Sequence, residues 1–303
     1  MGDTDTAANL SAPATATTID GTDSGSIAFL GPEGSFSHFV ARLRHPDAEG
    51  TDRLIPCKDI PTVFQRLREI PATIAIVPIE NSSGGIITPT VDCILEDSKA
   101  YQIIEEMTLN VRLALLGRSG TEVTRIYSHF APFHHCGEWL HAHYPDAEQI
   151  VAPSTSSSIE TAAARDDSAA IGPRDSAARH GLEVLHFPIE AEVPNVTQFF
   201  AIAPAGSIDI PPSDDSKTSL VVMLPDSSGS LCDFLTPFAR AGVNLKRIES
   251  RPIRGRPNTY RFFVEVDGHS SADKVAQALA DADAVSVSIH NMGSYPAGTR
   301  YES

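Results

Sequence analysis

Between Ser26 and Ala203, short apolar runs repeatedly give way to segments whose apolar residues fall on one helical face, with junctions rich in glycine, serine and threonine. That alternation confines this part of the chain to an α/β layer architecture, because bundles and sandwiches do not need both periods in turn. Strands are expected at 26–30 (SIAFL), 73–79 (TIAIVPI), 101–117 (YQIIEEMTLNVRLALLG, read as two), 125–129 (RIYSH), 168–173 (SAAIGP) and 196–203 (VTQFFAIA). Helices are expected at SHFVARLR, IPTVFQRLRE, TPTVDCILED, FHHCGEWLHAHY, SSIETAAARD and DSAARHG.

The texture changes at 204. The stretch PAGSIDIPPSDDSKT is poor in apolar residues and reads as a linker over 205–217. Beyond it, TSLVVMLP, SLCDFLTPFARAG, VNLKRIESRP, TYRFFVEVDG, SADKVAQALAD and AVSVSIHNMG follow the order βαββαβ, a ferredoxin-like unit over 218–293. Residues 294–303 are left as a C-terminal tail. Residues 1–25, dominated by Ala, Thr, Ser and Asp, read as a disordered tail without the basic start or apolar stretch of a signal peptide. The MGDTDT start fits a myristoylation pattern, and Asn81-Ser-Ser and Asn195-Val-Thr fit glycosylation sequons, by letters only.

Charge narrows the partners. With 39 acidic against 23 basic residues, the formal charge of -16 argues against nucleic acid and anionic membranes. No run of 18 apolar residues occurs, and Cys57, Cys93, Cys136 and Cys232 form no CxxC pair, so a cytoplasmic protein with reduced thiols is expected. GPEGSF lacks the third glycine of a dinucleotide fingerprint, and no phosphate-binding GxxxxGK[ST] is present. His134, Glu138 and His141 share a helical face without metal-site spacing and read as solvated. No cofactor and no metal are expected.

Three junctions stand out. Gly31, Gly34, Ser35 and Ser37 lie in GPEGSFSH; Glu80, Asn81, Ser82, Gly84 and Gly85 in ENSSGGIITPT; Ser154 and Thr155 in STSSS. Small polar residues at a helix start are ordinary caps, yet helix starts also leave backbone N–H groups free to bind a carboxylate. In EVPNVTQFFAIAP, Asn195, Thr197 and Gln198 crowd the mouth of an apolar strand, where an unpaired buried polar group would cost about 1–3 kcal/mol. Together these features point to a shared site for a small organic acid.

In order and spacing, GPEGSFS, VPIENSSGG, YSH before a cysteine-containing helix, STSSS and NVTQF resemble prephenate dehydratase. GSL, NLKRIESRP, YRFFVEVDG and MGSYP resemble the ACT regulatory domain attached to such enzymes. The resemblance spans roughly 26–296. It implies a catalytic domain over 26–204 of two periplasmic-binding-protein-like lobes, with crossings near 105 and 195. Prephenate would lie between them and lose its ring hydroxyl and carbon dioxide, giving phenylpyruvate for phenylalanine synthesis. Thr197 would assist the departing hydroxyl. Glu80, Asn81, Ser82, Ser154 and Thr155 would orient the substrate, with Gly31, Gly34, Ser35, Ser37, Gly84, Gly85, Ser128, His129, Asn195, Gln198 and Phe199 lining the site.

The family usually carries arginine where this chain has Gln198. Either a nearby cation replaces it, or the site serves another reaction or ligand: a non-aromatising prephenate decarboxylase, or a non-catalytic acid-binding regulator. SHFAPFHHC likewise departs from the usual Ser-His-Pro. In the ACT unit, Gly229, Ser230, Leu231, Asn244, Leu245, Glu249, Ser250, Arg251 and Pro252 would form the phenylalanine response site, between units of a homodimer or homotetramer.

Overall fold

The computed structural model describes residues 25–70, 72–190, 193–253, 255–256 and 259–303. All of the expected N-terminal tail except Gly25, and Glu192 of the EVPNVTQFFAIAP stretch, lie outside them.

The first lobe runs β1 (Ile27–Leu30), α1 (Phe36–Arg44), β2 (Leu54–Cys57), α2 (Ile60–Glu69), β3 (Ile74–Asn81), β4 (Gly85–Ile86), α3 (Thr88–Glu96) and β5 (Tyr101–Asn110). The apolar runs of β1 and β3 are buried on both sides, as parallel central strands must be. Helix α2 shows how local signals fix an element. Asp59 caps the amide of Thr62 at 2.8 Å, Pro61 occupies the first turn, and Val63, Phe64 and Leu67 form the buried stripe.

The chain then enters the second lobe: β6 (Ala114–Gly117), β7 (Arg125–Ser128), α4 (Phe130–His135), α5 (Gly137–His143), β8 (Glu148–Val151), α6 (Thr155–Ala163), β9 (Ser168–Gly172), α7 (Ser176–Arg179) and β10 (Glu183–His186). It returns as β11 (Val196–Pro204), paired between β3 and β5. The outward passage lies at 111–113 rather than near 105, which is mid-strand in β5; the return lies between 187 and 195. The helix expected over FHHCGEWLHAHY is divided between α4 and α5 at Cys136.

The third sheet is built from β12 (Ser216–Met223), β13 (Leu245–Pro252), β14 (Tyr260–Asp267) and β15 (Ser288–Pro296), in the order β13-β14-β12-β15, with α8 (Ser230–Arg240) and α9 (Asp273–Asp283) on one face. Its other face packs on the first lobe. Val221, Phe263, Met292 and Tyr295 join Val77, Ile79 and Phe200 in one core, and the Phe200 ring lies 6.1 Å from Phe263 and 5.8 Å from Tyr295. Each such side chain taken from water contributes about 1.5–3 kcal/mol. Gly293, at φ +125°, is required here because a Cβ would stand 2.4 Å from the Ile103 carbonyl oxygen.

The expected C-terminal tail is a strand instead. After β15, β16 (Thr299–Glu302) crosses back and pairs in parallel with β5, completing a seven-stranded sheet in the order β16-β5-β11-β3-β1-β2 with β4 on β3. Thr299 Oγ1 donates to Glu105 at 2.7 Å.

Candidate active site

Strands β1, β2 and β3 run parallel in one lobe and β7, β8 and β9 in the other, so each sheet has a set of carboxyl ends, where open α/β sheets bind ligands. The two sets meet. Ser176 Oγ, after β9, donates to the Gly34 carbonyl, after β1, at 3.1 Å; Arg179 pairs with Glu33, and Arg42 stands 3.7 Å from Asp175.

The junction residues do not behave as one class. In the first, Gly34 N–H donates to His38 Nδ1 at 2.9 Å, Gly31 N–H to the Cys57 carbonyl, and Ser35 Oγ caps His38 N–H while donating to the Leu30 carbonyl. Ser37 is buried in α1. A cavity of about 50 Å³ lies beside Gly34 and Ser35, bounded opposite by Pro173, Arg174 and Asp175. The second junction is not a helix start: Gly84 and Gly85 turn the β3–β4 hairpin, Gly85 at φ +72°, and α3 begins only at Thr88. In the third, Ser154 and Ser157 form a reciprocal capping box, with Thr155 as the first helical residue. Of the amide hydrogens named here, those of Gly34, His38, Ser154 and Ser157 are spent within their own turns and that of Gly31 on the neighbouring strand.

Side chains converge instead. Asn81 Oδ1 accepts from Ser83 N–H at 3.0 Å and Gly84 N–H at 2.9 Å. Two donors fix that atom as oxygen, so Nδ2 faces the other way, donating to Asn195 Oδ1 at 2.8 Å and Thr197 Oγ1 at 2.9 Å. Thr197 thus accepts from Asn81, and its own hydroxyl hydrogen is left to donate elsewhere. Ser82 ties the returning segment to the end of β3, donating from Oγ to the Pro194 carbonyl and accepting from Val196 N–H, both at 3.0 Å, and lines a cavity on the side of Glu80 and Gln198 rather than that of Thr197.

Three more expected site residues lie elsewhere. Successive strand residues point to opposite faces, so Gln198 cannot share a face with Thr197. Gln198 and its β3 partner Glu80 face the ACT unit, where both meet Arg247. Phe199 is on Thr197's side but is a core residue, 1% exposed.

In the second lobe, Ser128 ends β7 fully buried, and its Oγ has no hydrogen-bond partner among the described residues. His129 caps α4 against the Phe130 ring, 4.4 Å away, and burial lowers its pKa, leaving a neutral imidazole at pH 7. Among the described residues no group of three or more His, Cys, Asp or Glu is placed to hold a metal ion, and no helix is long and apolar enough to cross a membrane.

The expected phenylalanine residues form two sets. Gly229, at φ +90°, precedes Ser230 and Leu231 at the start of α8; Asn244 donates to Asp267 at 3.3 Å, with Leu245 beginning β13. Farther along β13, Glu249, Ser250 and Pro252 pair with β14, while Arg251 is committed to Asp92 of α3 at 2.7 and 3.0 Å. Sequence reading gave no role to Arg247, whose partners lie 49 and 167 residues away, or to Asp92.

Two facing α/β lobes with an appended, helix-backed βαββαβ sheet define a two-lobed, periplasmic-binding-protein-like enzyme with a ferredoxin-like module. The family model described as prephenate dehydratase matches residues 27–207, and the one described as the ACT domain matches 218–284. Prephenate dehydratase of Mycolicibacterium vanbaalenii is 33% identical over 288 residues, spanning 90% of this chain and 91% of that protein. A solved prephenate dehydratase in complex with L-Phe, from Arthrobacter aurescens, is 35% identical with a TM-score of 0.78, covering 89% of this chain and 90% of that one. GqqA, described as a novel type of quorum quenching acylase, is 25% identical with a TM-score of 0.79, covering 90% and 97%. The chain belongs to the prephenate dehydratase family of lyases and carries a C-terminal ACT domain.

Proposed function

We propose that the protein converts prephenate to phenylpyruvate and that Thr197 donates a hydrogen bond to the departing ring hydroxyl. The observation that carries this reading is the Asn81 amide, oriented by two backbone N–H groups and donating to Thr197 Oγ1, so that the threonine proton is available to a substrate oxygen. In the reaction, the ring C–O bond breaks and the hydroxyl leaves as water, taking up one proton. The bond between the ring and its carboxylate breaks too; its electron pair completes the aromatic ring as carbon dioxide departs. A threonine is a poor acid at pH 7, so its part is to stabilise the leaving oxygen by donation, with the proton coming from solvent or a relay. The unpartnered Ser128 Oγ, together with neutral His129, supplies further polar contacts from the second lobe.

The ACT domain takes L-phenylalanine as effector in this reading, as a relative of known structure binds it. Leu231 and Ile248 are partly uncovered, and among the described residues β13 has a neighbour on one edge only, which supports a second copy of the chain covering the site. In this reading the protein is a cytoplasmic homodimer or homotetramer.

One fold hosts many reactions, so the product decides. Incubation with prephenate, followed by ultraviolet absorbance in alkali, is expected to reveal phenylpyruvate. A non-aromatic acid would make the protein a decarboxylase, and unaltered prephenate held tightly would make it a binding regulator.

A further inference from the structure

Resting on the dehydratase reading of the cleft face, we propose that Arg247 of the ACT domain is a positioning residue for the strand pair that presents Asn81 and Thr197, with Glu80 and Gln198 as its points of hold. Arg247 is 8% exposed. Its Nε and Nη2 both donate to Glu80 Oε2, at 3.1 and 2.7 Å; Nη2 also donates to Gln198 Oε1, and Nη1 to fully buried Glu265. The guanidinium carbon stands 5.8 Å from the centre of the Phe200 ring. A planar guanidinium with several fixed donors suits such multipoint holding better than an ammonium would.

Sequence adjacency gives the hold its meaning. Glu80 immediately precedes Asn81, Gln198 immediately follows Thr197, and the two held residues pair across β3 and β11, as do the two presented ones. One cation therefore grips the reverse side of the rung beside Asn81 and Thr197. Displacing that rung tilts Asn81 against Thr197, and a misplacement of about 1 Å can cost about 100-fold in rate. The neutral amide at 198 fits: its oxygen accepts from Arg247, whereas a second guanidinium there would face the first. Ordinary interdomain adhesion is the competing account, and the molecule provides its own control in the Arg251–Asp92 pair, which joins the same strand β13 to α3 without touching β3 or β11.

The test compares Glu80→Gln, Arg247→Lys and Asp92→Asn with the parent in the full-length protein. Glu80→Gln guards against misfolding, because it leaves the buried Arg247–Glu265 pair intact. Glu80→Gln and Arg247→Lys are expected to lower kcat about tenfold or more with KM within about twofold. Asp92→Asn is expected to leave kcat unchanged. Hydrogen exchange over 74–81 and 196–204 is expected to speed up about tenfold in Glu80→Gln alone among the Glu80 and Asp92 variants. Equal changes in kcat and exchange for Glu80→Gln and Asp92→Asn, or none in either, overturn the proposal. Were the parent inert toward prephenate, the dehydratase reading would fall, and the exchange comparison would still decide whether Arg247 holds the strands.

Discussion

The two faces of the β3–β11 pair are built on opposite electrostatic plans. On the cleft face Asn81, Asn195 and Thr197 are neutral, and their hydrogen bonds leave a hydroxyl proton uncommitted. On the reverse face the Arg247 guanidinium meets the carboxyl groups of Glu80 and Glu265, so that each group is engaged by another. Charges that pair with one another have little left for a ligand; a neutral cluster with a spare donor can meet a substrate without first breaking an ion pair. In the proposed reading one face carries the chemistry and the other supports it, one step apart along each strand.

Removing the spare donor breaks the contrast most severely: Thr197→Ala is expected to lower kcat by about 100- to 1,000-fold, the range for a lost hydrogen-bond donor to developing charge, in steady-state assays with prephenate. Asn81→Asp sharpens the point. The carboxylate still accepts from Ser83 and Gly84 N–H but cannot donate to Thr197, whose hydroxyl would turn toward it. A loss of about 100-fold in kcat is expected, with the thermal midpoint changed by only a few degrees.

The reverse face is tested through Glu265. Burial pushes its carboxyl up to about 7 from an ordinary 4.5, opposed by Arg247. Between those values the folded state binds more protons than the unfolded chain. Stability therefore falls as pH rises from about 4.5 to about 7, and Glu265→Gln is expected to flatten that slope in urea titrations across the window. The smallest effect belongs to Asp92→Asn: the half-exposed Arg251–Asp92 pair is worth about 0–1 kcal/mol, and less at high salt.

Local chemistry made much of this legible. The α/β layer class and the βαββαβ order follow from periodicity, the division into two lobes is implied only by the family resemblance, and α2 is bounded by its own Asp59 and Pro61. Asn195 and Thr197, with Gln198, stand out as polar residues at the mouth of an apolar strand, and Asn81 as part of the junction ENSSGGIITPT. The errors came from reading motifs as points rather than as strands. Strict alternation was enough to place Gln198 and Glu80 away from Thr197 and Asn81. The Ser-Ser-Gly-Gly run is a hairpin signal rather than a helix start. Nonlocal partnerships left no such trace. Strand β16 pairs with a strand about 190 residues earlier, and the short β2 and β10, neither fully buried, carry too little apolar pattern to declare themselves. Arg247 looked like one basic residue among several in NLKRIESRP because its meaning lies in Glu80 and Gln198.

The most direct measurement is phenylpyruvate production from prephenate by the parent and by Thr197→Val, which keeps the shape of the side chain and deletes its hydroxyl. The account predicts steady aromatic product from the parent and at least about a 100-fold loss in the variant, with native-like unfolding behaviour. Equal rates from the two proteins would contradict it.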